Sequence, residues 1–167
     1  MSIKVLKDTN NIPKLRKNLS KMKKKEVQVG VFGQGQQAMI AAVHEFGVNI
    51  RVTNKMRAYL RSIGIFLKDD TKYIRIPERS FIRSGWDKNE KKINKAIEKH
   101  MNDVLQHNVD SQVFLEALGT MIEGHLKDYL VKLKTPPLSE VTKRRKGSSN
   151  PLIDTGSLLD SITHKVK

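Results

Sequence analysis

Cysteine is absent from this 167-residue chain, which excludes disulfides, zinc ribbons and thiol nucleophiles together. No stretch approaches the ~18 consecutive apolar residues of a membrane-spanning helix. The basic N-terminal segment also lacks the apolar stretch of a secretory signal. The expectation is a protein made and kept in a cytoplasm, with no membrane partner. Aromatic residues make up only 5% of the chain and lie mostly in apolar frames, so stacking of bases on an aromatic platform is not indicated. Acidic residues are few, 17 Asp and Glu against 32 Lys and Arg, which leaves a formal charge of +15. Such a charge repels copies of itself and attracts polyanions, either nucleic acid or an acidic protein surface. A lysine-rich composition with abundant Asn and Ile is also what an AT-biased coding background yields with no polyanionic partner.

The length fits one domain, and a globular chain of this size buries roughly 70% of its unfolded surface. Hydrophobic content of 38% against 29% charged implies a small core and a large surface, with part of the chain ordering only against neighbours.

Residues 9–25 read as an amphipathic helix, with Ile12, Leu15, Leu19 and Met22 on one face. Asn10 or Asn11 can cap it, and Pro13 suits its first turn. Its other face is basic and runs on into Lys23-Lys24-Lys25. Val27, Val29 and Val31 alternate as in a strand. After Gly33-Gln34-Gly35 the segment Gln36 to Phe46 has helical character, and Gly47 is placed to end it in a left-handed cap. That glycine turn lacks the third glycine of a dinucleotide fingerprint and the Lys-Ser/Thr of a Walker loop.

In the basic section 48–75, Ile50 and Val52 suit a short strand and Lys55 to Ser62 a short helix. Ile65-Phe66-Leu67 and Tyr73 to Ile76 suit a hairpin around an Asp-rich turn, ended by Pro77. Residues 87–107 and 111–133 then carry apolar stripes at helical spacing. Leu115, Leu118, Ile122, Leu126, Tyr129 and Leu133 give the clearest period in the chain. Gly119 and Gly124 within that stripe suggest close approach by another backbone. Residues 134–151 show no periodicity and read as a flexible arm containing Lys143-Arg144-Arg145-Lys146. Asp154 or Thr155 can cap a single turn through Leu159, and Ser161 to Val166 alternates as a closing strand.

Candidate chemistry is sparse. None of the five histidines has the spacing of a zinc helix, since His44-Glu45 is followed by Phe46-Gly47-Val48. His100 and His125 fall on or beside apolar stripes, where packed core histidines are expected, and His107 sits at a helix end where it favours the dipole. Glu45 lacks a visible partner for general-base work. Asp154-Thr155-Gly156 matches the aspartic-protease triplet, but the chain is too short for two lobes, and capping accounts for Asp154. No catalytic set, metal site or cofactor is expected, and no small-molecule substrate.

Three phrases stand out: Ala41 to Gly47 around His44-Glu45-Phe46-Gly47, Ile76 to Arg83 around Pro77, Arg79 and Phe81, and Pro151 to Ile162 around Asp154-Thr155-Gly156. Each joins a turn or helix end to apolar anchors. With the valine-rich strand and the two helices between them, they resemble the virion-morphogenesis or tail-completion proteins of tailed bacteriophages. These are the Mu-type morphogenesis proteins and the related neck and tail components of long-tailed phages, and the resemblance covers residues 26–166. One departure is plain: where such proteins often have Pro-x-Arg-Pro-Phe, this chain has Pro77-Glu78-Arg79-Ser80-Phe81. The resemblance implies a non-enzymatic role in the virion neck or tail, assembled in the host cytoplasm. It implies a ring homo-oligomer such as a hexamer, bound to neighbouring neck and tail proteins, with genome DNA in the channel as a further contact.

The expectation is therefore an α+β fold, a small mostly antiparallel sheet packed against two long helices. A basic N-terminal helix (1–25) precedes a single domain (26–167) with an inserted hairpin section at 48–75 and a long C-terminal arm loop. The expected interaction residues are Lys143, Arg144, Arg145 and Lys146, with Lys23, Lys24 and Lys25 as a second patch. The alternative function is a cytoplasmic module that binds nucleic acid without sequence preference through phosphate contacts, with steep salt dependence.

Overall fold

The computed structural model describes residues 12–107, 109–146 and 149–167. The fold is α+β. In order the elements are α1 (Ile12–Met22), β1 (Val27–Val31), α2 (Gln36–Phe46), β2 (Val48–Arg51), α3 (Asn54–Ser62), β3 (Tyr73–Ile76), α4 (Arg83–His107), α5 (Ser111–Lys132), α6 (Glu140–Lys146), α7 (Ser157–Asp160) and β4 (Ile162–Val166). The strands form two antiparallel pairs, β1 with β4 and β2 with β3. At the end of the first pair Glu26 and Lys167 exchange both backbone bonds at 3.0 Å, the signature of antiparallel pairing. The chain divides into two compact units. One comprises residues up to Val29, Glu90–Ile122 and His164–Lys167; the other comprises Gly30–Asn89 and Glu123–Thr163.

The first unit is built on apolar side chains from the two long helices. Val104, Phe114 and Leu115 are buried, and Met22, Val27, Met101, Leu118 and Val166 pack around them. Helices thus cover one face of the β1–β4 pair, as the 3.6-residue stripes require. The inward face of α1 is rotated from the expected one. Ile12 and Leu19 are exposed, at 62% and 37%, while Asn18 is buried. Leu15, Asn18 and Met22, again at spacings of three and four, line the inner side. The charged remainder of α1 stays in water, where desolvation costs nothing.

Gly119 lies against β4. A Cβ there would collide with His164 Cδ2 and stand 2.7 Å from Cγ, so the close approach inferred from sequence comes from a strand side chain. His164 is held by Glu116 Oε2, 3.1 Å from its Nε2. Gly119→Ala is expected to cost about 2 kcal/mol as overpacking. Combining it with His164→Ala should recover most of that loss in a urea-denaturation double-mutant cycle. Strict additivity of the two would remove the steric explanation. Gly124, by contrast, has nothing within 4 Å and takes part in no close approach.

In the second unit β2 and β3 pair in the register Val48↔Ile76 and Ile50↔Ile74, placing four half-buried aliphatics on one face and Asn49, Arg51, Tyr73 and Arg75 on the exposed face. This corrects the expected hairpin of residues 65–67 with 73–76. The reason is α3, whose Arg57 guanidinium donates to the carbonyls of Lys68 at 2.8 Å and Thr71 at 2.9 Å, and more distantly to Leu67 and Asp69. Those carbonyls are engaged by a side chain, while Val52 N–H reaches Lys72 carbonyl at 2.9 Å and extends the β2–β3 ladder. Helix α3 starts on Thr53, whose hydroxyl accepts Met56 N–H at 3.2 Å, an N-cap of the usual kind.

Candidate functional site

The first two phrases meet at one carboxylate. Glu45, in the last turn of α2 and 4% exposed, accepts the backbone N–H groups of Phe81 (2.8 Å), Ile82 (2.9 Å) and Arg83 (3.0 Å). It also accepts the Ser80 hydroxyl at 2.7 Å and Arg83 Nε at 3.1 Å. These backbone groups open α4, whose first N–H groups have no partner within the helix. Ser80 Oγ takes the next one, Ser84 N–H, at 3.2 Å. A negative charge supplied from a different helix therefore caps α4 at its positive end. Burial pushes the Glu45 carboxyl up, but the amides of Ile82 and Arg83, the Ser80 hydroxyl and the Phe81 amide together outweigh it, and the group titrates below the ordinary carboxylate range. Arg83 closes the corner. It also donates to Glu45 carbonyl at 2.9 Å and to Glu78 at 2.8 Å, and its guanidinium lies 4.9 Å from the centre of the Phe46 ring.

Gly47 makes the corner possible. It adopts φ 68° and ψ 164°, a positive-φ conformation but not the left-handed helical cap expected from sequence. A Cβ there would lie 2.8 Å from Glu78 N and 3.1 Å from Ile76 carbonyl oxygen. Phe81, fully buried, seals the apolar side. Arg79 is buried too, its N–H bonded to His44 carbonyl at 2.7 Å, with Nε on Pro136 carbonyl at 2.7 Å and Nη2 on Pro137 carbonyl at 3.0 Å. Pro77, half-buried, ends β3 as expected.

Segment 134–151 is consequently not a plain loop. It contains helix α6 and is tied at one end by Arg79 and at the other by Asn150, which donates to Val131 carbonyl at 2.8 Å and accepts Leu152 and Ile153 N–H. Ser139 starts α6 by accepting Thr142 N–H, a cap signal that the cationic run obscures. The four expected contact residues separate accordingly. Arg144 and Arg145 are exposed, and Lys143 pairs with Glu140 at 2.7 Å. Lys146 turns inward to the carbonyls of Asn150 at 2.8 Å and Pro151 at 3.4 Å. In the second patch Lys23 and Lys24 are exposed, whereas Lys25 is half-buried and donates to Gln112 Oε1.

The third phrase reaches the first through α7, which packs against α2. The cap of α7 is Gly156, in the left-handed region at φ 86° and with no side-chain bond, rather than Asp154 or Thr155. Thr155 contributes a long 3.4 Å contact from Ser157 N–H. A positive-φ residue at this turn favours glycine over any side-chain cap. Between α2, α6 and α7 lies a cavity of about 510 Å³, lined by His44, Lys146, Asp154 and Thr155 among others. Among the described residues His44 Nδ1 is buried with no hydrogen-bond partner. Burial, then the charges of Arg79 and Lys146, hold the His44 imidazole below its ordinary value. Lys146 is lowered by burial, partly offset by Asp154, with Arg79 adding to the decrease.

Of the other histidines, His100 is exposed and His125 half-buried, so His100 is not the core residue its stripe suggests. Its helix turns that position to water beside Lys99. The side chain of His107 lies outside the described residues. Among the described residues no group of His, Asp or Glu is placed to hold a metal, and no helix is long and apolar enough to cross a membrane. The chain matches no family model, no curated protein and no solved structure.

Proposed function

We propose that the chain is a structural subunit of a tailed-bacteriophage virion, acting in the neck or tail to complete the tail or join it to the head as one segment of a ring. The observation that carries this reading is the junction of the three phrases on which the resemblance rests. His44 to Gly47 and Pro77 to Arg83 are knotted through Glu45 and Arg79, and α7 of the third phrase packs on the same helix. The buried polar groups are spent on fixing chain direction at a corner, which suits a part whose task is shape. Mass spectrometry of purified virions and tail intermediates tests it. The expected result is several copies per particle, and absence from both preparations overturns the reading.

The net charge of +15 supports a second reading, a module that binds nucleic acid without sequence preference. Lys23, Lys24, Arg144 and Arg145, all exposed, are its candidate contacts. If these four met phosphates, the log–log salt slope would be roughly −3.6. A DNA titration showing no binding at low salt removes this alternative.

A further inference from the structure

We propose that the outward face of the β2–β3 ribbon, together with the exposed rings of the segment joining its strands, is a docking surface for single-stranded nucleic acid. The surface is distinct from that of the alternative reading above, which rests on phosphate contacts by Lys23, Lys24, Arg144 and Arg145. It lies within residues 48–75, inside the second unit, and depends neither on the virion role nor on those four cations.

Charge selects a polyanion. Residues 48–75 hold seven cations against two acids, Asp69 and Asp70. One cation, Arg57, is engaged by the carbonyls of the loop. Arg51, Lys55, Arg61, Lys68, Lys72 and Arg75 are exposed, and none of them forms an ion pair among the described residues. Lysine far outnumbers arginine in the chain, yet four of its nine arginines fall in this stretch. A lysine-favouring coding background does not concentrate arginine, whose planar fork suits phosphate and stacks on bases.

The ladder gathers these groups on one side. Arg51 stands opposite Tyr73, and Asn49 opposite Arg75. Strand alternation turns all four outward, with Arg75 roughly 7 Å along the strand from Tyr73. The tyrosine therefore sits between two unpaired arginines. Its apolar frame, Tyr73-Ile74-Arg75-Ile76, hides this in the sequence. The isoleucines turn inward and the ring stays 59% exposed.

The rings select a single strand. Tyr59 and Phe66 are exposed too, at 63% and 77%, so every aromatic of residues 48–75 faces water. Phe66 is not on a loose loop, because Arg57 holds the carbonyls that follow it. Among the described residues no cation lies over any of these three rings, whereas Arg83 lies over the exposed Phe46. A duplex keeps its base faces stacked inside and could use only the cations. A single strand presents a phosphate and a free base face at every nucleotide, which is what rings set among cations bind. An anionic membrane needs a continuous apolar face, and here Asn49 and the arginines interrupt it while Ile50 and Ile74 point inward.

Fluorescence anisotropy on the full chain tests this, with an oligothymidylate of about twelve nucleotides and a duplex of equal length as probes. Co-sedimentation with phosphatidylserine vesicles is the third arm. The oligothymidylate is expected to bind at least about tenfold more tightly than the duplex at the same salt. Tyr73→Ala should weaken the single strand by about tenfold without changing the duplex, and Tyr73→Phe, which keeps the ring, should bind as the parent does. Phe66→Ala should weaken the single strand as well, which keeps the proposal testable if Tyr73→Ala disturbs the ribbon. Replacing Arg51 and Arg75 together by Gln should make the log–log salt slope shallower by about 1.4. Neutralising Lys23, Lys24, Arg144 and Arg145 should leave the single-strand preference intact. Loss of that preference in the neutralised variant, unchanged affinity in both ring-to-Ala variants, or binding to vesicles but not to the oligonucleotide overturns the proposal. Duplex binding with no preference for the single strand also overturns it, and leaves the phosphate-driven reading standing. The copy number in virions bears on neither.

Discussion

Glu45→Gln is expected to lower stability by about 3–4 kcal/mol, because one oxygen of a fully engaged buried carboxylate becomes an amide facing N–H donors. Three backbone N–H groups at the start of α4 and the Ser80 hydroxyl converge on that carboxylate within 2.7–3.0 Å. Glutamine keeps the volume and one acceptor, so the loss reports on charge and hydrogen bonding rather than on a cavity. For a chain of this size the change corresponds to a fall in Tm of roughly 10 °C. Arg83→Met, removing the half-exposed partner whose side chain is 54% accessible, should have a much smaller effect, since an exposed cation holds little of the pair's energy. If the two variants were equally destabilised, the corner would depend on the ion pair and not on the cap.

The same residue sets a pH dependence. The folded Glu45 carboxyl titrates below its ordinary value, so the folded state binds fewer protons than the unfolded one wherever the unfolded group is protonated. Its contribution is complete above the ordinary carboxylate range and is lost as pH falls through the depressed folded value. His44, also lowered, acts in the same direction at higher pH. Its folded form stays neutral while the unfolded imidazole takes up a proton below about 6.5, so stability begins to fall there. Urea midpoints measured from pH 7.5 to 3.5 should decline in two stages. Glu45→Gln should flatten the lower stage and leave the upper one.

How much of this can be read from the sequence depends on the range of the interaction. Helices α4 and α5 are legible because their apolar residues repeat with the helical period, α2 because a segment rich in Ala and Met runs up to a glycine, and β1 and β4 because valine alternation and a closing Ile-x-His-x-Val pattern mark a half-buried strand. The phrase around Glu45 is recognisable as a fixed corner, but its five hydrogen bonds reach residues 35 to 38 positions away. No local spacing announces those partners. Strand β3 is legible and its partner is not, since Val48–Arg51 and Ile65–Leu67 are both apolar enough to pair with it. Arg57, which decides between them by holding the carbonyls of the intervening loop, reads from sequence as one more surface cation. Helix α6 is hidden for a related reason: a run of Lys and Arg has no apolar period, although those residues favour helix well enough. Composition alone makes Asp154 a cap, and the turn takes glycine instead because its φ is positive.

Gly47→Ala should be the other severe substitution, with an expected loss of about 3 kcal/mol or more from combined backbone strain and steric conflict. An L-residue at φ 68° is strained before any neighbour is considered. Here the neighbours are backbone atoms that have little room to move. Glu78 N at 2.8 Å and Ile76 carbonyl oxygen at 3.1 Å flank the place the new methyl would take. Ile76 is fixed by its pairing with Val48, and Arg79 N–H is fixed to His44 carbonyl at 2.7 Å. The chain on both sides of the glycine is therefore bonded to the very segment it would have to push away. Gly64 supplies the control. It has φ 80° but nothing within 4 Å of where a methyl would stand, so Gly64→Ala should cost only the conformational part, about 1 kcal/mol. Denaturant midpoints for the two variants measured side by side separate strain from collision. Equal losses would mean that the approach of Glu78 to the end of α2 relaxes freely, and that the corner is softer than its hydrogen bonds require.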